Sequence, residues 1–310
     1  MALGSNHVTK TTADKFIPEI WSDEIIAAYK QNLVAANLFS KMSFKGKKGD
    51  TLHIPKPTRG AASVKAASTQ VTLIAATETE QQVAIDKHYE YSRLIEDIVE
   101  TQALASLRKF YTDDAGYALA KQVDTDLIQL GRAVGSGTAY STANASTNAF
   151  IGSNGTTVYN SSSSNAAALA DAGIRRSIQR LDDADVPMTD RCLIIPPTTR
   201  STLMGLARFT EQAFVGEVSN ANTIRNGQVG DVYGVKVYVT TNADSGAGSS
   251  GADRICLMAH KDAFVLAEQM GVRSQTQYKQ EYLGTLFTSD MLYGVAELRD
   301  SSAVALAVPA

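Results

Sequence analysis

Apolar residues recur at Leu104, Leu107, Tyr111, Ala115, Leu119, Val123, Leu127, Leu130 and Val134, in steps of three or four residues. That spacing keeps them on one face of a single α-helix. At about 1.5 Å per residue the helix would be roughly 45 Å long, more than most globular helices. Its opposite face carries Arg108, Lys109, Asp113, Asp114, Lys121, Asp124 and Asp126. Leu94, Ile95, Ile98 and Val99 would begin the same stripe, although the β-branched run at Ile98 to Thr101 is a place for the helix to break.

The pattern changes on either side. Residues 1 to 15 are polar and predict a mobile arm. Pro18 then opens an amphipathic helix bearing Ile20, Trp21, Ile25, Ile26, Tyr29 and Leu33 and ending near Asn37, with Trp21 as a packing anchor. Asp50 to Pro55 alternates like a strand, but Pro55 and Pro57 confine it to an edge or a projecting ribbon. A tip of small residues, Gly60 to Ser68, precedes a second extended run from Thr77 to Tyr91. There Val83, Ile85 and Tyr89 share one face, and Glu78, Glu80, Asp86 and His88 the other. Residues 45 to 90 therefore predict a long two-stranded excursion with too few apolar residues to form a domain. Such a ribbon needs a surface to lie on.

Beyond the long helix, residues 135 to 165 are Gly, Ser, Thr, Asn and Ala with little periodicity, which predicts a surface loop. A second helix follows, with Leu169, Ile174, Ile178 and Leu181 in register, and stops at Asp185 to Pro187. Cys192 to Ile195 reads as a short buried strand closed by Pro196 and Pro197. After a poorly patterned stretch, 201 to 226, Gly234 marks a turn between two strands, with Val235, Val237 and Val239 on one face. A loop at 242 to 253 leads to a strand at Arg254 to Ala259. Further extended segments centre on Val265, Thr276, Tyr293 and Val304. Helices and strands mix without regular alternation, so the fold class is α+β.

Composition narrows the function. The 310 residues are 44% hydrophobic and 20% charged, and the net charge of −3 gives no case for nucleic-acid binding through a basic surface. The two cysteines, Cys192 and Cys256, lie in apolar runs and read as buried thiols of a reducing compartment. No stretch has the length of a membrane span and the N-terminus lacks a signal peptide's apolar core, so the chain is expected to be soluble and cytoplasmic where it is made. The glycosylation patterns at Asn144, Asn154 and Asn160 are accidental on that reading.

Catalytic chemistry is hard to find. Gly246 to Gly251 matches a dinucleotide fingerprint literally, but it opens into a strand, so no helix N-terminus awaits a pyrophosphate. There is no Walker loop, nucleophile elbow or CxxC pair, and His7, His53, His88 and His260 share no metal-ligand spacing. Asp182, Asp183 and Asp185 read as a solvated face. No catalytic, cofactor-binding or metal-binding residue is assigned, and no cofactor is expected.

Several of these features together resemble the major capsid proteins of tailed bacteriophages, with the Hong Kong 97-type shell fold shared with herpesvirus capsids. Phe16 to Trp21 and its helix are similar to the family's N-terminal arm. Gly49 to Pro55, returning through Val83 to Tyr91, is similar to the extended E-loop. Tyr111 to Ala120 with Val123 and Asp124 resembles the spine helix. Ile178 to Pro187 and Arg191 to Pro197 resemble the axial domain's helix and first central strand, and Gly227 to Val239, Tyr293 to Ala296 and Ala303 to Val308 also fit.

The resemblance implies an N-terminal arm at 1–44, an E-loop at 45–90 and the spine helix of a peripheral domain at 91–134. An axial domain with a central β-sheet follows at 135–260, with a surface loop at 135–165, and strands at 261–310 complete both domains. It implies a virion shell subunit in hexamers and pentamers around packaged double-stranded DNA held by weak contact, with a portal protein and no membrane. Only about fifteen residues precede the arm, which implies a separate scaffolding protein. The family's lysine–asparagine cross-linking pocket is not matched, and no cross-linking residue is assigned. The alternatives are another virion component, such as a tail-tube or decoration protein, and an enzyme with an unrecognised site.

Charge adds one expectation. Residues 41 to 65 carry seven bases and one acid, whereas residues 78 to 126 carry eleven acids and five bases. The basic ribbon of one subunit is expected to lie over the acidic helix region of the next. The contact set is then Lys45, Lys47, Lys48, Lys56, Arg59 and Lys65 against Glu96, Asp97, Asp113, Asp114 and Asp124.

Overall fold

The computed structural model describes residues 34–46, 48–57, 60–71, 73, 78–98, 107–132, 134, 145–160, 165–206, 231–248 and 251–310. Of the expected arm and the helix around Trp21, residues 1–33 lie outside the described residues. A short helix, α1 (Ala35–Leu38), leads into β1 (Ser40–Ser43). Then come β2 (Thr51–Pro57) and β3 (Glu78–Ala84), β4 (Lys87–Glu96), and the long helix α2 (Leu107–Gln129) with a 3-10 turn at Leu130–Arg132. Next are β5 (Ala145–Ile151), β6 (Val158–Asn160), α3 (Asp171–Asp183), β7 (Arg191–Ile195) and α4 (Pro197–Met204). The chain closes with β8 (Asp231–Val232), β9 (Val235–Val239), β10 (Ser245–Gly248), β11 (Gly251–His260), β12 (Phe264–Lys279), β13 (Gly284–Glu297) and β14 (Ala303–Val308).

The strands form three sheets. One has the order β1-β12-β13-β4. A larger sheet runs β6-β5-β14-β11-β7-β9-β8, with β10 also on β11. The third is the pair β2-β3. In the larger sheet β7 is parallel to β9 and β14 is parallel to β5, while β11 is antiparallel to both β7 and β14. A central strand covered on both faces is an unbroken apolar run rather than an alternating one. All five residues of β7 are accordingly buried, and so are all six of β14.

Alternation along β7 and β11 sends side chains into two cores. Cys192, Ile194, Leu257 and Ala259 meet Leu119, Val123 and Leu127 of α2, together with Phe264, Leu266, Met291 and Tyr293 of the four-stranded sheet. The other face offers Leu193, Ile195, Cys256, Met258, Val304 and Leu306 to Ile174 and Leu181 of α3 and Leu203 of α4. The α2 stripe is thus the seam between the two sheets, and Ala115, Leu119, Val123 and Leu127 are buried as their spacing predicts.

Several expectations change. Leu94 and Ile95 belong not to the helix but to β4, whose ladder on β13 runs from Lys87 to Glu96. The ribbon therefore ends at Ala84, and the chain from Lys87 onward is part of the four-stranded sheet. The expected loop at 135–165 contains β5 and β6, and the loop at 242–253 contains β10 and the start of β11. The segments around Val265 and Thr276 are one sixteen-residue strand, and Pro197 opens a helix as well as closing β7. The turn at Gly234 is present, with Tyr233 and Gly234 both in the left-handed region.

Candidate functional site

The ribbon is the feature that the rest of the chain leaves uncovered. Its strands pair antiparallel over seven positions, from Thr51 opposite Ala84 to Pro57 opposite Glu78. Among the described residues only the root has a core. Val83 and Ile85 are buried with Phe44 against Val265 and Ala267, and Leu52 and Ile54 pack alongside. The backbone N–H groups of Phe44 and Ile85 donate to the carbonyls of Glu268 and Asp50 at 2.8 and 2.7 Å. Gln269 Nε2 donates to the Gly49 carbonyl at 3.0 Å. A Cβ on Gly294 would sit 2.1 Å from the Ala84 carbonyl oxygen, so β13 admits the ribbon root only because that residue has no side chain. The root is fixed in direction.

Away from the root, the ribbon shows side chains to solvent on both faces. Val64 is fully exposed and Leu73 nearly so. His53 Nδ1 lies 3.0 Å from Glu80 Oε2 across the strands. Hydrogen bonds from Gln82, and then from His53, hold the Glu80 carboxyl below its ordinary value. A cleft of about 860 Å³ opens between the ribbon and the body, with Ile54, Lys56 and Gln81 on one side and Asp185, Leu298 and Arg299 on the other.

The predicted contact charges divide into three groups. Lys48, Lys56 and Lys65 are exposed on the ribbon, whereas Lys47 and Arg59 lie outside the described residues. Lys45 sits at the root and forms an ion pair with Glu268 at 3.3 Å in its own chain. On the acidic side, Glu96, Asp97 and Asp113 are exposed. Asp97 accepts a hydrogen bond from Tyr278 at 2.8 Å, and the half-buried Asp114 accepts one from Tyr91 at 3.0 Å.

Asp124 is not a surface charge. It is fully buried and accepts from the backbone N–H groups of Val34 and Ala35 at 2.9 and 2.6 Å, and from Asn242 Nδ2 at 3.0 Å. The carboxylate satisfies orphan donors where α1 begins, so it faces its own chain rather than a neighbour. Asp126, also placed on the polar face, is buried too. It accepts from Tyr293 at 2.8 Å and Gln122 at 3.0 Å, and pairs with Lys87 at 3.2 Å. Burial, reinforced by Asp126, pushes the Tyr293 phenol well above its ordinary value.

Other polar ties have no signature in the sequence. Arg132 holds Asp244 through two hydrogen bonds of 2.8 and 2.7 Å, joining the end of α2 to the larger sheet. The buried Arg191 pairs with Asp182 at 2.7 Å and donates to the Val186 and Pro187 carbonyls, which fixes the exit of α3. Arg273 grips Asp290, with His88 on the same carboxylate, and Arg273 above all holds that carboxyl below its usual range. Each pair joins residues far apart in sequence or differing in element, and no local motif announces it.

Burial pushes both cysteine thiols up to about 12, and Cys192 and Cys256 lie on adjacent strands of the larger sheet. Among the described residues no three His, Cys, Asp or Glu side chains are grouped to hold a metal, and no helix is long and apolar enough to cross a membrane. Gly246 and Gly248 lie in β10 and Gly251 opens β11, two strands that pair antiparallel.

A rooted ribbon with little core of its own, carried by a well-packed two-sheet body, is the build of a structural subunit. The chain belongs to the phage capsid protein family, whose model matches residues 21–306. No curated protein sequence matches it. Among solved structures, one from Mycobacterium phage Che8 is 22% identical with a TM-score of 0.74, covering 94% of this chain and 97% of that one. The capsid of cyanophage P-SCSP1u is 19% identical with a TM-score of 0.74, covering 99% and 96%. The capsid asymmetric unit of cyanophage Pam1 is 14% identical with a TM-score of 0.75, covering 99% of both chains. At these identities the likeness is one of fold.

Proposed function

We propose that the chain is the major capsid protein of a tailed, double-stranded DNA bacteriophage, with a Hong Kong 97-type fold, assembling as hexamers and pentamers into an icosahedral head. The observation that carries this reading is the ribbon. Its root is locked to β13, and among the described residues its remainder shows almost no buried apolar surface in its own chain. A strand pair of this kind is marginal alone, and an adjacent subunit supplies the missing surface. The full-length likeness to phage capsid structures supports the same reading.

In this account the ribbon, residues 45–84, is the E-loop, α2 is the spine of the peripheral domain, and the larger sheet with α3 and α4 is the axial domain. Lys48, Lys56 and Lys65 of one ribbon lie near Glu96, Asp97, Asp113 and Asp114 of the next subunit. Lys47 and Arg59 join the basic side by sequence alone. Asp124 drops out because it is buried, and Lys45 is held by Glu268. The net charge of −3 suits a container that holds DNA by weak contact, since tight phosphate binding needs many Lys and Arg contacts. A separate scaffolding protein and a portal protein complete the head.

Co-expression with the candidate scaffolding protein tests the reading by sedimentation and negative-stain microscopy. Closed particles of megadalton size are expected. Tubes or rings would point to a tail component instead. A strictly monomeric chain with an ordered ribbon would overturn it.

A further inference from the structure

Asn154 and Gly155 lie in the connection between β5 and β6. Asn154 Oδ1 accepts from the backbone N–H groups of Thr156 and Thr157 at 2.9 and 3.1 Å, and Nδ2 donates to Thr157 Oγ1 at 3.0 Å. A side chain that folds onto the amides ahead of it in this way calls for Asn or Asp. Gly155 is demanded as firmly. Its φ is +63°, and a Cβ there would lie 3.1 Å from both the Gly173 carbonyl oxygen and Arg176 Cβ of α3. Its N–H donates to the Ile151 carbonyl at 3.0 Å, and its own carbonyl accepts from Arg180 Nε and Nη2 at 3.3 and 3.2 Å. The Arg180 guanidinium also lies over the Phe150 ring, 3.7 Å from its centroid. The turn is thus tied to β5 on one side and to α3 on the other.

The same two residues are a chemical hazard. In an Asn–Gly pair no side chain hinders the glycine nitrogen from attacking the asparagine Cγ. As that nitrogen gives up its proton, a new C–N bond forms to Cγ. The Cγ–Nδ2 bond breaks, and ammonia leaves with the proton. Water then opens the cyclic imide to aspartate or to isoaspartate, whose main chain is longer. Water is the only co-reactant.

We infer that Asn154 is a latent deamidation site, kept intact in the folded chain by this turn and by the grip of Arg180 on Gly155, and modified when the β5–β6 connection opens. The inference does not depend on the shell reading. The restraint falls on the nucleophile. Two donors on Oδ1 polarise the Asn154 amide, which by itself eases attack. The Gly155 nitrogen, however, is committed to Ile151, and Arg180 fixes the backbone just beyond it. Once made, the change persists through refolding. Aspartate at 154 keeps the acceptor and loses the donor to Thr157. Isoaspartate shifts the carboxyl away from Thr156 and Thr157 altogether. The site therefore records past opening at this edge of the larger sheet.

Peptide mass spectrometry of the full chain, aged at neutral pH as native subunit and in urea, tests the inference. Asn226–Gly227, the other Asn–Gly pair, lies outside the described residues and shows that the chemistry is running in urea. Asn154 is expected to convert roughly tenfold more slowly, or slower still, in the native subunit than in urea, since only the locally opened fraction reacts. Arg180→Ala, with native folding checked by circular dichroism, is expected to raise the native rate several-fold. Conversion of Asn154 in the native subunit as fast as in urea, or faster, would overturn the inference. An unchanged native rate in a folded Arg180→Ala chain would overturn it too, because the grip would then protect nothing. If that variant does not fold, the comparison of native subunit with urea decides alone.

Discussion

At the residue scale, the most informative side chains are the buried carboxyls. Asp124 sits on a helical face that reads as polar, yet it is the acceptor for two backbone N–H groups and an asparagine amide. Removing such an acceptor leaves buried donors unpaired, at about 1–3 kcal/mol. Asp124→Ala should therefore lower unfolding stability by about 3 kcal/mol in urea titration, since two backbone donors and an amide lose their partner together. A loss below about 1 kcal/mol would show that solvent or another group replaces it. Glu297 presents the opposite case. Burial, with Asp300 adding to it, pushes its carboxyl up to about 7, and Oε1 has no hydrogen-bond partner among the described residues. A carboxyl that holds its proton more tightly when folded costs stability as pH rises from its unfolded value through 7, and the cost is constant above that. Glu297→Gln should match the native chain near pH 4 and melt increasingly higher than it between pH 5 and 7, with a plateau beyond. A gain that does not vary with pH would mean that Glu297 is ionised throughout. Neither carboxyl is legible in sequence, because what sets each apart is a neighbour remote in the chain.

At the element scale, legibility followed periodicity and burial. The α2 stripe, α3, β7 and the hairpin at Gly234 were readable because each packs one regular face or a whole buried run against a core. Leu94 and Ile95 mislead because they stand four and three residues before a β-branched run, in step with a helical stripe, while their pairing partners Leu286 and Thr285 lie almost 200 residues on. The sequence of β5 predicts a loop for a related reason. Its Ser, Thr, Asn and Ala carry little apolar signal, and it is held by a parallel ladder to β14, which no local pattern reports. The ribbon was legible from Pro55, Pro57 and the charge run, although its far boundary was not, since β3 and β4 differ only in which sheet receives them. Its charges make a prediction. Exposed pairs contribute about 0.2–1 kcal/mol each, so they guide docking more than they stabilise it. Lys48→Glu with Lys56→Glu should slow assembly at low salt and alter its salt dependence, while leaving the subunit's Tm within about 1 °C, as surface substitutions do. Unchanged assembly kinetics would show that ribbon charge does not set register.

At the scale of the whole molecule, two cores share one large sheet, and α2 closes the seam between that sheet and the smaller one. Leu127 is fully buried at the seam, so Leu127→Ala should cost about 2–5 kcal/mol and lower the Tm of the free subunit. A loss under 1 kcal/mol would mean that the two sheets do not depend on α2 for their packing. The ribbon stands outside both cores, anchored by Phe44, Val83 and Ile85 and by the close approach at Gly294. On the proposed function, its worth to the molecule lies in contact with another subunit. Cryo-electron microscopy of particles formed with the scaffolding protein tests this most directly. The account predicts closed shells in which the strands at 51–57 and 78–84 lie on an adjacent subunit. Closed shells in which those strands fold back onto their own subunit would contradict it.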